Sequence, residues 1–181
     1  MFSEVCTAAM ARLRSQAELQ IRSGIIDPRI REQMREPLII DEGSLYFEDE
    51  IRNVGRVTLE SMWYDVDREA FVNKLALDWL INQPDRVVQK PTAADFETFG
   101  VRCAAQGVIL ARAVLTSARA ITERPQIVYI TLDFEKGEYD AWFPTATFRF
   151  TAYRFGVTPG GEWINIDPKD RSSYVMSIRL E

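Results

Sequence analysis

The densest group of side chains that could do chemistry is a set of carboxylates around Gly137. Its members are Asp133, Glu135, Glu138 and Asp140. Carboxylate oxygens near a strand end are suitable ligands for Mg²⁺ or Ca²⁺, but charged side chains also occur at solvated hairpin tips, where they discourage edge pairing. A nuclease that pairs Asp with a Glu-x-Lys motif needs a lysine two residues after an acid, whereas Lys136 directly follows Glu135. We therefore favour a hairpin tip, and a carboxylate metal-dependent enzyme is the second alternative.

The other signatures of catalysis are missing from the sequence. Histidine, the commonest general base and a common metal ligand, does not occur. No Gly-x-Ser-x-Gly motif is present, and Gly160-Gly161 lacks the lysine and helix that follow in a Walker loop. Cys103 lies in an apolar stretch, where burial raises the pKa of a thiol. The sequence thus predicts a protein that is not an enzyme, with no catalytic residue, no cofactor and no bound metal.

Two large aromatic residues, Trp142 and Phe143, follow the acidic turn, where apolar side chains are not expected to face solvent. Aromatic side chains in such places often anchor protein interfaces. We predict a partner-binding site here that also includes the neighbouring Tyr139 and Asp140. The alternative is that both rings fold back onto the sheet.

Charge is unevenly distributed along the chain, whose formal net charge is −5. Nine acidic residues and three arginines lie between Asp41 and Glu69. Proteins that bind nucleic acid or anionic membranes usually carry a basic surplus, so we expect neither sequence-specific nucleic-acid binding nor membrane binding. The acidic stretch is either a solvated face or a surface that docks a basic partner.

Hydrophobic periodicity predicts helices in the first two thirds of the chain and strands at its end. Ser3 is the expected N-cap of the first helix, and Thr92 is expected to cap a short helix that contains Phe96 and Phe99. The predicted helices cover residues 3–24, 28–35, 68–82, about 92–99 and 101–122. The predicted strands cover residues 38–40, 45–47, 57–64, 127–134, 145–153, 163–166 and 174–180.

Helices that are segregated from consecutive C-terminal strands are typical of an α+β fold. We predict a single α+β domain over residues 1–181, with N-terminal helices, a central buried helix and a C-terminal antiparallel β-meander. The central helix, 101–122, is rich in alanine and glycine, which permits close packing against the sheet.

A small acidic α+β protein without catalytic signatures is similar, at the level of fold alone, to ring-forming neck and tail-completion (connector) subunits of tailed phages. The sequence therefore favours a structural assembly protein that forms a homo-oligomer or docks to a fixed protein neighbour. The alternative is an acidic inhibitor, such as an immunity or anti-defence protein, that binds a basic partner. We recognise no signal peptide and no run of about 18 apolar residues, so the expected location is the cytoplasm or a virion assembled there.

Overall fold

The computed structural model describes residues 1–54, 65–81, 90–137, 141–153 and 166–181, and it confirms the α+β fold. The helices are α1 (Ala8–Gln16), α2 (Glu18–Ser23), α3 (Pro28–Gln33), α4 (Glu48–Asn53), α5 (Asp65–Val72), α6 (Leu77–Leu80) and α7 (Ala93–Ile121). The strands are β1 (Phe2–Cys6), β2 (Leu38–Asp41), β3 (Ser44–Phe47), β4 (Lys74–Ala76), β5 (Gln126–Lys136), β6 (Trp142–Ala152) and β7 (Tyr174–Leu180). The strand predicted at 57–64 and most of the one predicted at 163–166 lie outside the described residues.

Five strands form one antiparallel sheet in the order β1-β7-β5-β6-β4, and β2 pairs with β3 in a separate hairpin. β5 and β6 form a hairpin, as a meander requires. The last strand, β7, lies on the other side of β5 instead of beside β6. The outer side of β6 already pairs with β4, so β7 takes the free side of β5 and β1 then adds to β7.

The central helix is longer than the sequence suggested, because the predicted break near residue 100 does not occur. α7 begins with a capping box. The Thr92 side chain accepts a hydrogen bond from the Asp95 N–H, and the Asp95 carboxylate accepts one from the Thr92 N–H. Gly100 stays helical, and a Cβ there would lie 2.4 Å from Leu13 Cδ1. The glycine therefore permits close packing of α1 on α7 and does not end a helix.

The burial predicted for the central helix is confirmed. A Cβ at Gly107 would lie 2.7 Å from Ile130 Cδ1 and 3.1 Å from Leu77 Cδ2, so the helix backbone approaches β5 and α6 closely. By length and composition α7 could cross a membrane, but a core helix passes the same test, and 67% of its most apolar window is buried within the fold. The alternating apolar residues of β5, β6 and β7 cover the opposite side of this core.

The first predicted helix is wrong at its start, where residues 2–6 form β1 and Thr7, not Ser3, is the N-cap of α1. Pairing with β7 satisfies backbone hydrogen-bonding groups of this segment. Because β7 lies near the other end of the sequence, the local pattern of apolar residues does not predict this pairing. The Glu4 carboxylate also accepts hydrogen bonds from Arg14 Nε (2.8 Å) and Arg112 Nη2 (3.0 Å). These two contacts hold β1 against α1 and α7.

The helix predicted at 68–82 is also wrong, because the chain leaves the helix at Asn73, forms β4 and then makes only one short turn of α6. The Asn73 side chain is fully buried and bonds to backbone groups of β3 and β6. These non-local hydrogen bonds favour a helix end that local propensity does not predict.

Candidate partner-binding site

The β5–β6 hairpin extends beyond the strands on either side of it. Pairing of β5 with β7 ends at Leu132, and pairing of β6 with β4 ends at Thr147, next to Ala146, whose N–H is bonded by a side chain. The last four pairs of the hairpin, from Asp133 with Thr145 to Lys136 with Trp142, have no further strand beside them in the described chain. We call residues 133–137 and 141–145 the arm.

The two aromatic residues predicted to bind a partner lie on opposite faces of the arm, because successive side chains of a strand alternate. Trp142 is opposite Lys136, whose ammonium lies 6.0 Å from the centre of the indole ring. Phe143 is opposite Glu135 and packs over Gly137, where a Cβ would lie 2.6 Å from Phe143 Cε2. Both rings are half-buried. Because they lie on opposite faces, they form two separate apolar spots and not one patch.

The base of the arm is fixed by aromatic packing under one of its faces. Phe134 is buried and makes an edge-to-face contact with Phe96 at 4.5 Å between ring centres and a tilted contact with Phe99 at 6.0 Å. Phe96 also stacks on Tyr174 at 5.0 Å. Each such pair contributes about 0.5–1.5 kcal/mol beyond its buried area, so the arm has a rigid base.

Both edges of the arm lack a free backbone donor near its base. The even-numbered residues of β6 direct their backbone groups away from β5, as the bonds of Ala146 and Ala152 show, but Pro144 has no N–H. On the other edge, the outward N–H of Phe134 donates to Asp133 Oδ1 at 2.7 Å. Since strand addition needs a row of unpaired donors, the base of the arm does not favour it.

The carboxylates singled out as a metal site are only partly described. Asp133 and Glu135 are exposed, and they share one face of β5 since they are two residues apart. Glu138, Tyr139 and Asp140 lie outside the described residues. Within the described chain, no group of three metal-ligating side chains is found.

Sequence reasoning missed a buried polar clamp on the other half of β6. Glu69, counted above among the residues of the acidic stretch, is fully buried, and its carboxylate accepts from Leu45 N (3.0 Å), Ala152 N (2.6 Å) and Thr151 Oγ1 (3.2 Å). The Arg124 guanidinium lies 3.5 Å from Glu69 Oε1 and compensates its charge. The carboxylate thereby links β3 to β6, because it accepts hydrogen bonds from backbone N–H groups that are not paired with a neighbouring strand in the described chain.

Two further side chains extend this clamp along the same edge. Asn73, one helical turn after Glu69, accepts from Phe47 N at 3.0 Å and donates to Leu45 O (2.8 Å) and Phe150 O (3.1 Å). Asp78 Oδ1 accepts from Ala146 N at 3.0 Å. The only sign of this arrangement in the sequence is that Asn73, a polar residue, lies four positions after Glu69 within an apolar pattern.

The two cysteines are poor nucleophiles. Cys103 is buried as predicted, and burial raises the pKa of its thiol well above the usual value. Cys6 lies in a strand and not in a helix, and burial, with a smaller contribution from Glu4, raises its pKa to about 11. Because the thiolate is the reactive form, neither site favours covalent chemistry near neutral pH.

Comparison with protein-family models, curated proteins and solved structures finds no match to this chain.

Proposed function

We propose that this protein is a non-enzymatic assembly subunit that binds copies of itself or a fixed protein neighbour through the arm. The observation that carries the proposal is the projection of four hairpin pairs past both neighbouring strands, with Trp142 and Phe143 on opposite faces. An isolated two-stranded ribbon is only marginally stable in water. A partner that covers the arm therefore stabilises it while burying the two rings.

The placement of the rings favours a chain of contacts over a simple face-to-face dimer. An arm with one apolar spot on each face can be enclosed by a neighbour on both sides. Head-to-tail contacts of this kind close into rings when the rotation between subunits allows it. The finer proposal is a ring-forming connector subunit, of the neck or tail-completion type, in a phage virion assembled in the cytoplasm, without direct sequence-specific contact to nucleic acid and without membrane contact.

The alternative, an acidic inhibitor that docks a basic partner, has weaker support from the described acidic stretch. Glu69 is fully buried, and Glu42 and Glu48 form ion pairs with Arg68 and Arg52. These acids therefore act within the fold and leave fewer uncompensated charges for a basic partner.

The test is the native mass of the protein over a range of concentrations, measured by light scattering after size exclusion. Trp142→Ala and Phe143→Ala are compared with Trp79→Ala, a matched control on α6 whose side chain is 63% exposed. An aromatic anchor contributes about 2 kcal/mol or more to an interface, so each arm variant should weaken assembly by roughly thirtyfold.

The control should assemble like the wild type. If neither arm variant changed the mass of a multimer, the arm would not be the contact surface. The next candidate would be the outer edge of β1, which pairs with no other strand in the described chain. A wild type that stays monomeric at every concentration would reject self-assembly. A fixed neighbour would then be sought by co-purification from the source, and an arm-independent partner there would reject the proposal.

A further inference from the structure

A cavity of about 340 Å³ lies at the opposite end of the sheet from the arm. About nine residues of β5 separate the two sites, which corresponds to roughly 30 Å at the rise of a β-strand. The cavity is bounded by the last turns of α7, the start of β5 and the end of β7. Its volume is within the range of small-molecule sites.

Positive charge dominates the polar part of the cavity wall. Three arginines line it, Arg119, Arg124 and Arg179, against one acidic side chain, Glu181. Arg124 is already engaged, since its Nη1 lies 3.5 Å from Glu69 Oε1 and donates to Gly43 O at 3.2 Å. The contacts of the other two arginines are long: Arg119 Nη1 lies 3.4 Å from Glu123 O, and Arg179 Nη2 lies 3.8 Å from a Glu181 carboxylate oxygen. A guanidinium carries five N–H donors, so these groups keep donors for an anion in a protein whose net charge is −5.

The cavity wall also contains a buried polar group without a partner. Gln126 is only 6% exposed, and no hydrogen bond to its Oε1 is found in the described chain. Its Nε2 donates to Arg124 O at 3.4 Å, and reversing the amide would place two oxygens against each other. Buried acceptors are nearly always bonded, and Gln126 Oε1 is one that the described residues leave without a donor.

The rest of the wall is apolar. Leu115, Pro125 and Leu180 supply aliphatic surface, and Tyr153 supplies a ring over which the Arg179 guanidinium lies at 5.1 Å. Such a surface binds an apolar body by excluding water. The wall thus combines three recognition elements: cations, an acceptor that the described residues leave without a donor, and an apolar floor.

We propose that this cavity binds a small amphipathic carboxylic acid, whose carboxylate bonds to Arg119 and Arg179, whose apolar body contacts Leu115 and Leu180, and whose hydroxyl or N–H donates to Gln126 Oε1. Charge-assisted bonds from guanidinium to carboxylate are the strong contacts of such a site. The donor to Gln126 sets specificity, because a site with a buried polar group discriminates against ligands that leave it unpaired. This site is independent of the assembly role proposed for the arm.

Calorimetric titration with three related probes tests the proposal. The first, 4-hydroxyphenylacetate, has the carboxylate, the ring and the donor; phenylacetate lacks the donor; 4-hydroxyphenethyl alcohol lacks the charge. The first probe should bind with a dissociation constant of about 1 mM or lower, and each of the others should bind roughly tenfold more weakly.

Two variants assign the contacts. Gln126→Leu removes the unbonded amide without introducing a polar group, so the fold should be retained, and the two acids should then bind equally. Arg119→Gln should weaken both acids and leave the alcohol unchanged. Arg12→Gln, which replaces an exposed arginine paired with Glu97 away from the cavity, is the matched control and should alter none of the affinities.

The proposal is overturned if 4-hydroxyphenylacetate produces no binding heat at concentrations of about 1 mM. It is also overturned if the Gln126→Leu variant keeps the preference for the hydroxylated acid, or if Arg12→Gln weakens binding as much as Arg119→Gln does. Thermal unfolding of each variant shows that the titrated protein is folded.

Discussion

The two halves of β6 belong to one strand but have different surroundings. From Ala146 to Ala152, the outward edge is bonded by β4 and by the side chains of Glu69, Asn73 and Asp78. From Trp142 to Thr145, no described residue outside β5 pairs with the strand. Within the described residues, the chain therefore completes one half of the strand and leaves the other half without a second neighbouring strand.

The contrast extends to how each edge avoids unwanted pairing. The completed half pairs with β4, and side chains bond three of its outward backbone groups, Ala146 N–H, Phe150 C=O and Ala152 N–H. The arm instead lacks a donor at Pro144 and has the Phe134 N–H capped by Asp133. Because edges that are blunted in this way resist strand addition, the proposed partner would contact the side-chain faces of the arm. A loss of stability and a loss of assembly should then follow from different substitutions.

The largest expected effect is on the completed half. Glu69→Ala removes the acceptor of Leu45 N and Ala152 N and leaves Arg124 without its buried partner, so the free energy of unfolding should fall by about 3–5 kcal/mol. Urea unfolding measures this loss. Glu42→Ala, at a carboxylate whose side chain is 69% exposed, breaks an ion pair with Arg68 and should cost below about 1 kcal/mol. Equal losses in the two variants would show that Glu69 is not a clamp.

A smaller effect is expected where the helix meets the sheet beneath that half. Gly107→Leu should cost about 1–3 kcal/mol or more, because its Cβ alone would lie 2.7 Å from Ile130 Cδ1. Ala120→Leu, at an exposed position of the same helix, is the size-matched control and should unfold at nearly the wild-type temperature. Calorimetry would contradict the packing if the two variants melted together.

The smallest expected effect concerns Cys6 at the other edge of the sheet. Burial and Glu4 raise the pKa of this thiol to about 11, so its reaction with iodoacetamide should rise about tenfold per pH unit until that pH is reached. The unfolded thiol ionises at lower pH, so this group's contribution to stability is lost as the pH rises towards 11. Cys103→Ser isolates the signal, and a rate that levels off near pH 9 would show that β1 does not bury Cys6.

The elements that local periodicity defines were predictable. Residues 101–122 of the central helix follow from their apolar stripes, although Thr92 caps this helix and not the separate short helix predicted for it, and the strands after Gln126 follow from alternation. β1 was not predictable, because residues 2–6 also fit a helical pattern and become a strand only by pairing with residues 176–180. The place of β7 beside β5 likewise depends on β4, a three-residue strand without a sequence signal.

The candidate site was located by the aromatic pair, but its geometry was not predictable. The sequence places Trp142 and Phe143 next to each other, whereas strand alternation places them on opposite faces of the arm. The clamp was hidden because Glu69 resembles one more acid in a charged stretch and Asn73 one more residue in a helix. Their burial depends on β3 and β6, which are distant in sequence.

The most direct test of the account compares hydrogen exchange in the two halves of β6 at low and high protein concentration. The amides of residues 146–152 should be protected at both concentrations, because the chain itself bonds or buries them. The amide of Trp142, an even-numbered residue whose N–H is directed away from β5, should exchange quickly in dilute protein and become protected as the native mass rises. Fast exchange of this amide in the fully assembled protein would contradict the claim that a partner covers the arm.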